Sequence, residues 1–319
     1  YITVLEGIRE EAGDDVRILY SQGCDLYKDK VENLAWDQDR ISEAVITAEN
    51  SDVVILCVGL DETLEGEEGD TGNSDASGDK VDLHLPKVQE ELIEKVTAVG
   101  KPTIVVLMAG SAIDLNYAQD NCNGILLAWY PGARGGRAIA DLLFGKESPS
   151  GKLPITFYKD LEGMPEFTDY SMKNRTYRYM EKEALYPFGY GLTYSDTCVT
   201  EAEVVGEVSA ESDIVLKATV KNNGTVDTDE VVQVYIKDLD SLLAVRNYSL
   251  CGFKRVSLKA GEEKSVEFTI SNKAMNIVDE DGNRYIAGKH FRLFAGVSQP
   301  DTRSAELTGH KPAEVEIAL

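Results

Sequence analysis

Closely spaced carboxylates follow an apolar segment near residue 60. The segment DVVILCVGL (52–60) is apolar, and the stretch LEGEEGDTGNSD (64–75) that comes after it places Glu65, Glu67 and Asp70 among glycines. Such a stretch cannot pack a core, and loops at strand ends often carry catalytic groups. Glycines allow positive φ angles and give a loop reach. Neighbouring carboxylates can also raise the pKa of one of them toward that of a general acid at working pH.

The same stretch has two plainer interpretations. An acidic, Gly-rich segment is most often a solvated loop, and composition alone favours that interpretation. A calcium loop would need the pattern D-x-[DN]-x-[DN]-G with a later glutamate, which the stretch does not match. His84, His290 and His310 are isolated along the chain and form no metal-binding pattern. We therefore expect no metal ion and no organic cofactor.

A second candidate for chemistry is NRTYRYM (174–180). Sugars are bound by aromatic faces and by planar hydrogen-bond donors, so Arg175 and Tyr177 are candidate substrate-binding residues. The alternative is an anchor at a domain interface, in which Arg and Tyr side chains bond backbone carbonyls. Aromatic residues that follow in LYPFGYGLTY (185–194) are typical of packing and favour this alternative.

The glycines of PGARGG (131–136) are a weaker signal. The segment follows an apolar run and precedes a helical pattern, as a phosphate-binding loop would. It lacks the G-x-G-x-x-G spacing and the Lys-Ser/Thr pair of a P-loop. A tight turn between a strand and a helix is the simpler interpretation.

The elements that would position these residues alternate between apolar runs and helical patterns over residues 1–195. The runs at 16–23, 52–59, 102–110 and 123–132 predict strands, and the segments 41–51, 85–100 and 135–145 predict helices. Strands that are apolar throughout predict an α/β domain with a mostly parallel sheet sandwiched by helices. Ligands bind beyond the carboxyl ends of such strands, where the carboxylate loop would lie.

The pattern changes in residues 196–319. The segments 213–224, 230–238, 264–270 and 290–296 alternate between apolar and polar residues, and turn-forming residues separate them. This pattern predicts a second, all-β domain, an antiparallel sandwich.

Composition excludes several classes of protein. The chain has 319 residues and a net charge of −24, so it has no basic footprint for nucleic acid or anionic membranes. Its apolar runs are shorter than the roughly 18 residues of a membrane span. Cys57 and Cys122 lie in or beside apolar runs and are expected to be buried thiols, which favours a reducing, cytoplasmic location.

Three long segments resemble glycoside hydrolase family 3. Residues 128–157 (AWYPGARGG…LPITF) and 174–195 (NRTYRYM…GYGLTYS) look like its C-terminal α/β sandwich domain. Residues 250–270 (LCGFKRVSLKAGEEKSVEFTI) look like the fibronectin type III-like domain that follows in many members. The family contains β-glucosidases, β-xylosidases and related exo-acting enzymes.

The resemblance implies roles and a missing part. The family's nucleophile is an aspartate on a (β/α)8 barrel, and this chain contains no eightfold βα pattern, so the barrel of the same protein is an expected partner. The acid/base is commonly a glutamate on a loop of the α/β domain. The pattern E-G-x-x-G-D selects Glu65, whereas spacing from Asp70 selects Glu67, and Glu68 is a further candidate. Thr71 replaces the arginine that often follows the aspartate.

The sequence therefore predicts the C-terminal part of a retaining exo-acting β-glycosidase that is inactive alone. Its substrates would be β-linked glucosides, xylosides or short oligosaccharides. A non-catalytic carbohydrate-binding or scaffold module is the first alternative, and a nucleotide-binding α/β protein is the second. The sequence leaves the sugar, the linkage and the oligomeric state open.

Overall fold

The computed structural model describes residues 1–28, 36, 38–66 and 80–319. It divides into two compact units. The first contains Tyr1–Lys146 and Tyr158–Leu161, and the second contains Glu147–Phe157 and Glu162–Leu319. The two compact units separate earlier in the chain, after Lys146. The predicted domain boundary after residue 195 therefore stays a prediction.

The first unit is built on a parallel sheet. Among the described residues, β1 (Val54–Gly59), β2 (Thr103–Met108) and β3 (Gly124–Leu127) lie side by side in that order. Cys57 lies opposite Val106 in the register of β1 and β2. All three strands run in the same direction, so their carboxyl ends lie at one edge of the sheet. The predicted strands at 52–59, 102–110 and 123–132 are confirmed.

The middle strand shows that both faces of this sheet are covered. Val105, Val106 and Leu107 are fully buried in succession. Consecutive strand residues point to opposite faces, so each face needs its own cover. One face is covered by Val4 and Ile139, which pack with Val106.

Two helices that meet through glycines provide that cover. Helix α1 (Val4–Ala12) has a capping box at Thr3, and α5 (Gly135–Leu143) follows β3. A Cβ atom on Gly7 would lie 2.1 Å from the carbonyl oxygen of Gly136, so only glycine allows this close approach. The helix predicted at 135–145 is confirmed.

Further helices of this unit pack against the outer strands or against one another. They are α2 (Asp39–Glu49), α3 (Lys87–Thr97) and α4 (Asn116–Asn121). Helix α3 contacts β1, and α4 contacts β3. The helices predicted at 41–51 and 85–100 are confirmed, whereas α4 was not predicted.

Two expectations for the first unit are wrong. Residues 16–23 form no strand, and Val16 and Tyr20 are exposed, because an apolar run becomes a strand only where a neighbouring strand accepts its backbone hydrogen bonds. Cys57 is exposed and Cys122 is half-buried, so neither side chain is fully buried, although the protein around them raises the pKa of both thiols, that of Cys57 to about 11. Cys57 lies on β1, which is at an edge of the described sheet, so full burial does not follow from an apolar run. The cytoplasmic location stays a prediction.

The second unit contains a β-sandwich. One sheet has the strand order β14-β13-β8-β9 and the other β10-β7-β6. The strands are β6 (Thr197–Val205), β7 (Ile214–Asn222), β8 (Thr228–Asp238), β9 (Ser249–Leu258), β10 (Glu263–Ile270), β13 (His290–Gly296) and β14 (Ala313–Ala318). All pairings are antiparallel. The predicted sandwich is confirmed.

Alternating burial along the strands explains the sandwich. Leu216, Ala218 and Val220 of β7 are fully buried every second residue, as are Val232 and Val234 of β8. These side chains form one apolar core between the two sheets.

Short elements complete the described chain. They are β4 (Phe157–Tyr158), α6 (Thr176–Tyr179), β5 (Ala184–Tyr186), a 3₁₀ helix (Asn272–Met275), β11 (Asn276–Val278), β12 (Arg284–Ile286) and α7 (Thr302–Thr308). In the part of the chain that the structure describes, every helix is too short or too polar to cross a membrane.

Candidate active site

Residues from all three strand ends meet at the carboxyl edge of the parallel sheet. Glu65 lies beyond β1, Gly110 and Ser111 follow β2, and Tyr130 follows β3. Their hydrogen bonds join the three segments into one cluster. The edge is the one that the sequence pattern predicted for ligand binding.

Three donors converge on the carboxylate of Glu65. The backbone amide of Gly110 donates to Oε2 at 2.7 Å. The Tyr130 hydroxyl donates to the same oxygen, and the Ser111 hydroxyl donates to Oε1. Both carboxylate oxygens are therefore engaged by protein donors.

Lys80 extends this cluster. Its ammonium group donates to the Ser111 hydroxyl oxygen at 2.8 Å and to the carbonyl of Ala112 at 3.0 Å. Because the Ser111 oxygen accepts from Lys80, its own proton is directed toward Glu65. Burial lowers the pKa of Lys80, and the charges of Glu65 and Asp82 oppose that effect.

The electrostatics of Glu65 favour its ionised form. Burial alone would raise the pKa of this carboxyl, but the hydrogen bonds from its three donors outweigh burial and hold the pKa below its usual range. Burial and the bond to Glu65 raise the pKa of Tyr130, so its hydroxyl stays protonated and remains a donor. The described surroundings of Glu65 thus lower its pKa. The expectation that neighbouring carboxylates raise the pKa of one loop carboxyl stays a prediction, because Glu67, Glu68 and Asp70 lie outside the described residues. The partners found around it donate hydrogen bonds or carry positive charge.

A compact turn carries the chain from β1 to Glu65. The amides of Leu64 and Glu65 donate to the carbonyl of Asp61 at 3.0 and 2.9 Å. The Asp61 carboxylate accepts from the amide and hydroxyl of Thr63. Leu64 is buried, which anchors the turn to the domain.

A buried amide side chain fixes the end of β1. Gln89 of α3 accepts from the amide of Gly59 at 2.7 Å and donates to its carbonyl at 2.7 Å. Sequence reasoning missed this residue. Its signal was a polar residue on the apolar face of α3, in helical register with Leu92, Ile93 and Val96.

The other two strand ends are shaped for close approach. A Cβ atom on Gly110 would lie 2.8 Å from the Tyr130 ring and 3.2 Å from Glu65 Oε2, so glycine makes room for both groups. Trp129, next to Tyr130, has a φ of 51°, which is uncommon for a bulky residue. Such backbone strain is often found at functional sites. Sequence reasoning did not single out Gly110, Ser111, Trp129 or Tyr130.

The other carboxylates predicted from the sequence lie outside the described residues. Glu67, the alternative acid/base, is outside the described residues, as are Glu68 and Asp70. The acid/base assignment to Glu65 or Glu67 stays a prediction.

The guanidinium group of Arg175 bonds backbone carbonyls. Its Nη2 donates to three backbone carbonyls, those of Pro165 (3.4 Å), Glu166 (2.8 Å) and Asp169 (3.1 Å). The sequence left open an anchor at a domain interface, whereas these carbonyls belong to the second unit, as Arg175 itself does. Arg175 shapes the preceding loop of the second unit.

Tyr177 is likewise used in packing. Its ring stacks on Phe188 with centroids 4.3 Å apart and packs against Tyr235 and Tyr248. Its hydroxyl accepts from the amide of Leu250 at 3.0 Å. Sugar binding by Arg175 and Tyr177 stays a prediction, but each side chain already has protein partners.

The glycines of PGARGG form a tight turn. A Cβ on Gly135 would lie 2.2 Å from Pro131, and one on Gly136 would lie 1.9 Å from the carbonyl oxygen of Thr3. The amides of Gly135 and Gly136 donate to the carbonyls of Gly132 and Ile2. Since these amides are already bonded, they do not form a cradle for phosphate, which argues against the nucleotide-binding hypothesis.

Metal chemistry finds no support in the described residues. Over residues 1–28, 36, 38–66 and 80–319, no group of three or more His, Cys, Asp or Glu side chains is arranged to hold a metal ion.

A family model decides what kind of domain carries this cluster. The model of the glycosyl hydrolase family 3 C-terminal domain matches residues 1–194. The chain belongs to glycoside hydrolase family 3. A model of the fibronectin type III-like domain matches residues 230–299 within the sandwich. The family 3 assignment agrees with the resemblance found in the sequence.

Curated relatives that match this chain include xylosidases, glucosidases and exo-α-(1→6)-L-arabinopyranosidases. A β-xylosidase of Formosa agariphila is 34% identical over 316 residues, covering 97% of this chain and 42% of that protein. A xylan 1,4-β-xylosidase of Xylanibacter ruminicola is 38% identical over 270 residues, covering 83% of this chain and 31% of that protein. The chain thus spans less than half the length of these relatives.

Solved structures of family members show the same fold. A β-glucosidase from Erythrobacter marinus has a TM-score of 0.82 and 30% identity, covering 100% of this chain and 43% of that one. A family 3 β-glucosidase from Bifidobacterium adolescentis has a TM-score of 0.81 and 29% identity, covering 100% of this chain and 45% of that one.

Proposed function

We propose that this chain is the C-terminal part of a retaining, exo-acting β-glycosidase and that the loop after β1 supplies its acid/base carboxylate. The observation that carries the proposal is the position of that loop. In a chain of glycoside hydrolase family 3, it leaves the carboxyl end of a parallel strand, where α/β proteins bind ligands. The candidates are Glu65 and Glu67.

The chemistry needs a partner that the described residues do not supply. A retaining glycosidase uses a nucleophilic carboxylate and an acid/base carboxyl about 5–5.5 Å apart, on either side of the scissile bond. Carboxylates that share one short loop would be expected to approach the bond from one side, which leaves the nucleophile to another part of the protein. The nucleophile would come from a barrel in the same protein.

The names of several relatives support a substrate class. Proteins named β-xylosidase and β-glucosidase match this chain over 97% and 93% of its length. We propose β-linked xylosides or glucosides, including short oligosaccharides, as substrates. The net charge of −24 fits neutral sugars better than anionic ones.

Hydrolysis of aryl β-xyloside and β-glucoside tests this function. The intact protein should hydrolyse at least one of them and release the β-anomer first, as followed by proton NMR. The 319-residue chain alone should be inactive, and activity should return when the remainder of the protein is added. Turnover by the chain alone, abolished by a point mutation within it, would contradict the proposal. An inactive intact protein that still binds sugar would favour the non-catalytic module.

A further inference from the structure

The carboxylate cluster suggests a division of labour within the proposed active site. We propose that Glu65 is a positioning residue that clamps the root of the carboxylate loop to the ends of β2 and β3, and that another carboxyl group transfers the proton. This inference rests on the proposed glycosidase function.

The hydrogen-bond pattern around Glu65 fits an ionised acceptor. Its oxygens accept from the Gly110 amide, the Ser111 hydroxyl and the Tyr130 hydroxyl. The Gly110 amide cannot accept a hydrogen bond in return. The Ser111 and Tyr130 hydroxyls donate to the carboxylate, and each would have to turn to accept from a protonated Glu65, Ser111 while it also accepts from Lys80.

A general acid must do the opposite of what this site favours. It has to carry a proton through the approach of substrate and direct it at the leaving oxygen. Protonation of Glu65 would weaken charge-assisted hydrogen bonds on both of its oxygens. The arrangement therefore opposes the state that acid catalysis requires.

The same contacts are well suited to positioning. Glu65 closes a turn that begins at Asp61, and the buried side chain of Leu64 fixes that turn to the domain. The Glu65 side chain then joins the turn to segments that follow two other strands. A residue two positions further along can reach at most about 7 Å from this fixed point. Glu67 itself lies outside the described residues.

Two substitutions in the intact enzyme separate the clamp from the proton donor. Glu65→Gln keeps the size of the side chain but introduces donors where donors already point. Tyr130→Phe removes one donor and leaves the charge of Glu65 in place. Glu62→Gln is the matched control, since Glu62 is an exposed residue of the same turn. Circular dichroism confirms that each variant is folded.

If Glu65 is a clamp, its substitution should slow the reaction but leave the general acid in place. Glu65→Gln should lower kcat/KM by roughly 10–100-fold through mispositioning. The basic limb of the pH–rate profile should remain, and added azide should not accelerate turnover. Tyr130→Phe should cause a smaller loss with an unmoved basic limb, and Glu62→Gln should match the wild type. Glu67→Gln should lose the limb and respond to azide.

Other results would overturn this inference in distinguishable ways. If Glu65→Gln abolishes the basic limb and azide restores turnover, Glu65 is the acid/base and only the clamp fails. If Tyr130→Phe moves the basic limb upward, Glu65 is again the titrating acid. If Glu65→Gln has the kinetics of the wild type, Glu65 has no positioning role. If no glutamate of the loop shows an acid/base signature, the proposed function fails as well.

Discussion

Glu65 in the first unit and Glu230 in the second are both carboxylates with several hydrogen-bond donors, but their surroundings differ. Glu230 pairs with Lys152 at 2.8 Å, and these side chains are 2% and 8% exposed. The Thr197 hydroxyl and the Val231 amide also donate to Glu230, each at 2.6 Å. Glu65 is half-buried, and its direct donors are neutral.

These different surroundings determine what each carboxylate can do. A buried ion pair with satisfied hydrogen bonds is fixed, because loss of either charge leaves the other without compensation. A carboxylate held by neutral donors near solvent is stable as an anion, yet it can exchange partners at modest cost. The sandwich thus holds a structural ion pair, whereas the sheet edge holds an adjustable anchor.

The largest expected effect comes from breaking the buried pair. Lys152→Met removes the ammonium group and leaves Glu230 charged and buried. We expect the free energy of unfolding of the second unit to fall by about 3–5 kcal/mol, as measured by urea denaturation. Lys259→Met is the matched control, because Lys259 forms an exposed pair with Asp227 and should change stability little. Equal effects of the two variants would remove the contrast between the regions.

A second substitution sharpens that result. Lys152→Met combined with Glu230→Gln removes the uncompensated charge, and a Gln side chain still accepts from Thr197 or the Val231 amide. We expect the double variant to recover roughly 1–3 kcal/mol relative to Lys152→Met in the same denaturation experiment. A double variant less stable than the single one would show that hydrogen bonds, rather than the unpaired charge, dominate the loss.

Tyr130→Phe tests the anchor and should have a smaller effect. Tyr130 is exposed, so solvent screens its bond to Glu65, and loss of that bond should lower the stability of the first unit by less than about 1 kcal/mol at pH 7. The folded pKa of Glu65 is lowered, so its stabilisation is present above the unfolded pKa of about 4.3 and disappears as the pH falls through the folded pKa. The difference between variant and wild type should therefore shrink below about pH 4.

Tyr117→Phe provides the control for that pH dependence. Its hydroxyl bonds the neutral hydroxyl of Thr97 at 3.1 Å, so its contribution should not depend on carboxyl titration. Denaturation from pH 3 to 7 compares the two variants. The same pH dependence in both would contradict a role for the ionised Glu65.

Lys80→Met should have the smallest effect. Lys80 acts on Glu65 through Ser111 and through its charge, and that charge is the weakest of the influences on the carboxyl. We expect a small rise in the pKa of Glu65, less than the rise caused by Tyr130→Phe. Carboxyl-carbon NMR measures both shifts, and Lys87→Met on the exposed surface should cause none. A larger shift from Lys80→Met would make Glu65 part of an ion pair similar to that of Glu230.

The sequence predicts the framework of the candidate site well. Three apolar runs become β1, β2 and β3, because segments that are apolar throughout must be covered on both faces of a sheet. Parallel strands share one carboxyl edge, so the position of Glu65 follows from the order of elements. The glycines of PGARGG similarly indicate the tight turn before α5.

The hydrogen-bond partners of Glu65 could not be predicted from the sequence in the same way. A backbone amide, a serine and a tyrosine are common, and only the fold brings Gly110, Ser111 and Tyr130 to one carboxylate. The pattern of Tyr177 could indicate either sugar binding or packing, and its aromatic neighbours come from distant strands. The run at 16–23 failed as a strand because hydrogen-bonding partners are not encoded locally.

The pKa of Glu65 tests the distinction between anchor and proton donor most directly. Carbon-13 NMR of the Glu65 carboxyl over pH 2–8, assigned by loss of the signal in Glu65→Gln, measures it in this chain. A clamp held by three donors predicts a midpoint below the ordinary glutamate value of about 4.3. A midpoint above about 6 would contradict the account, because it would describe a carboxyl that keeps its proton for transfer.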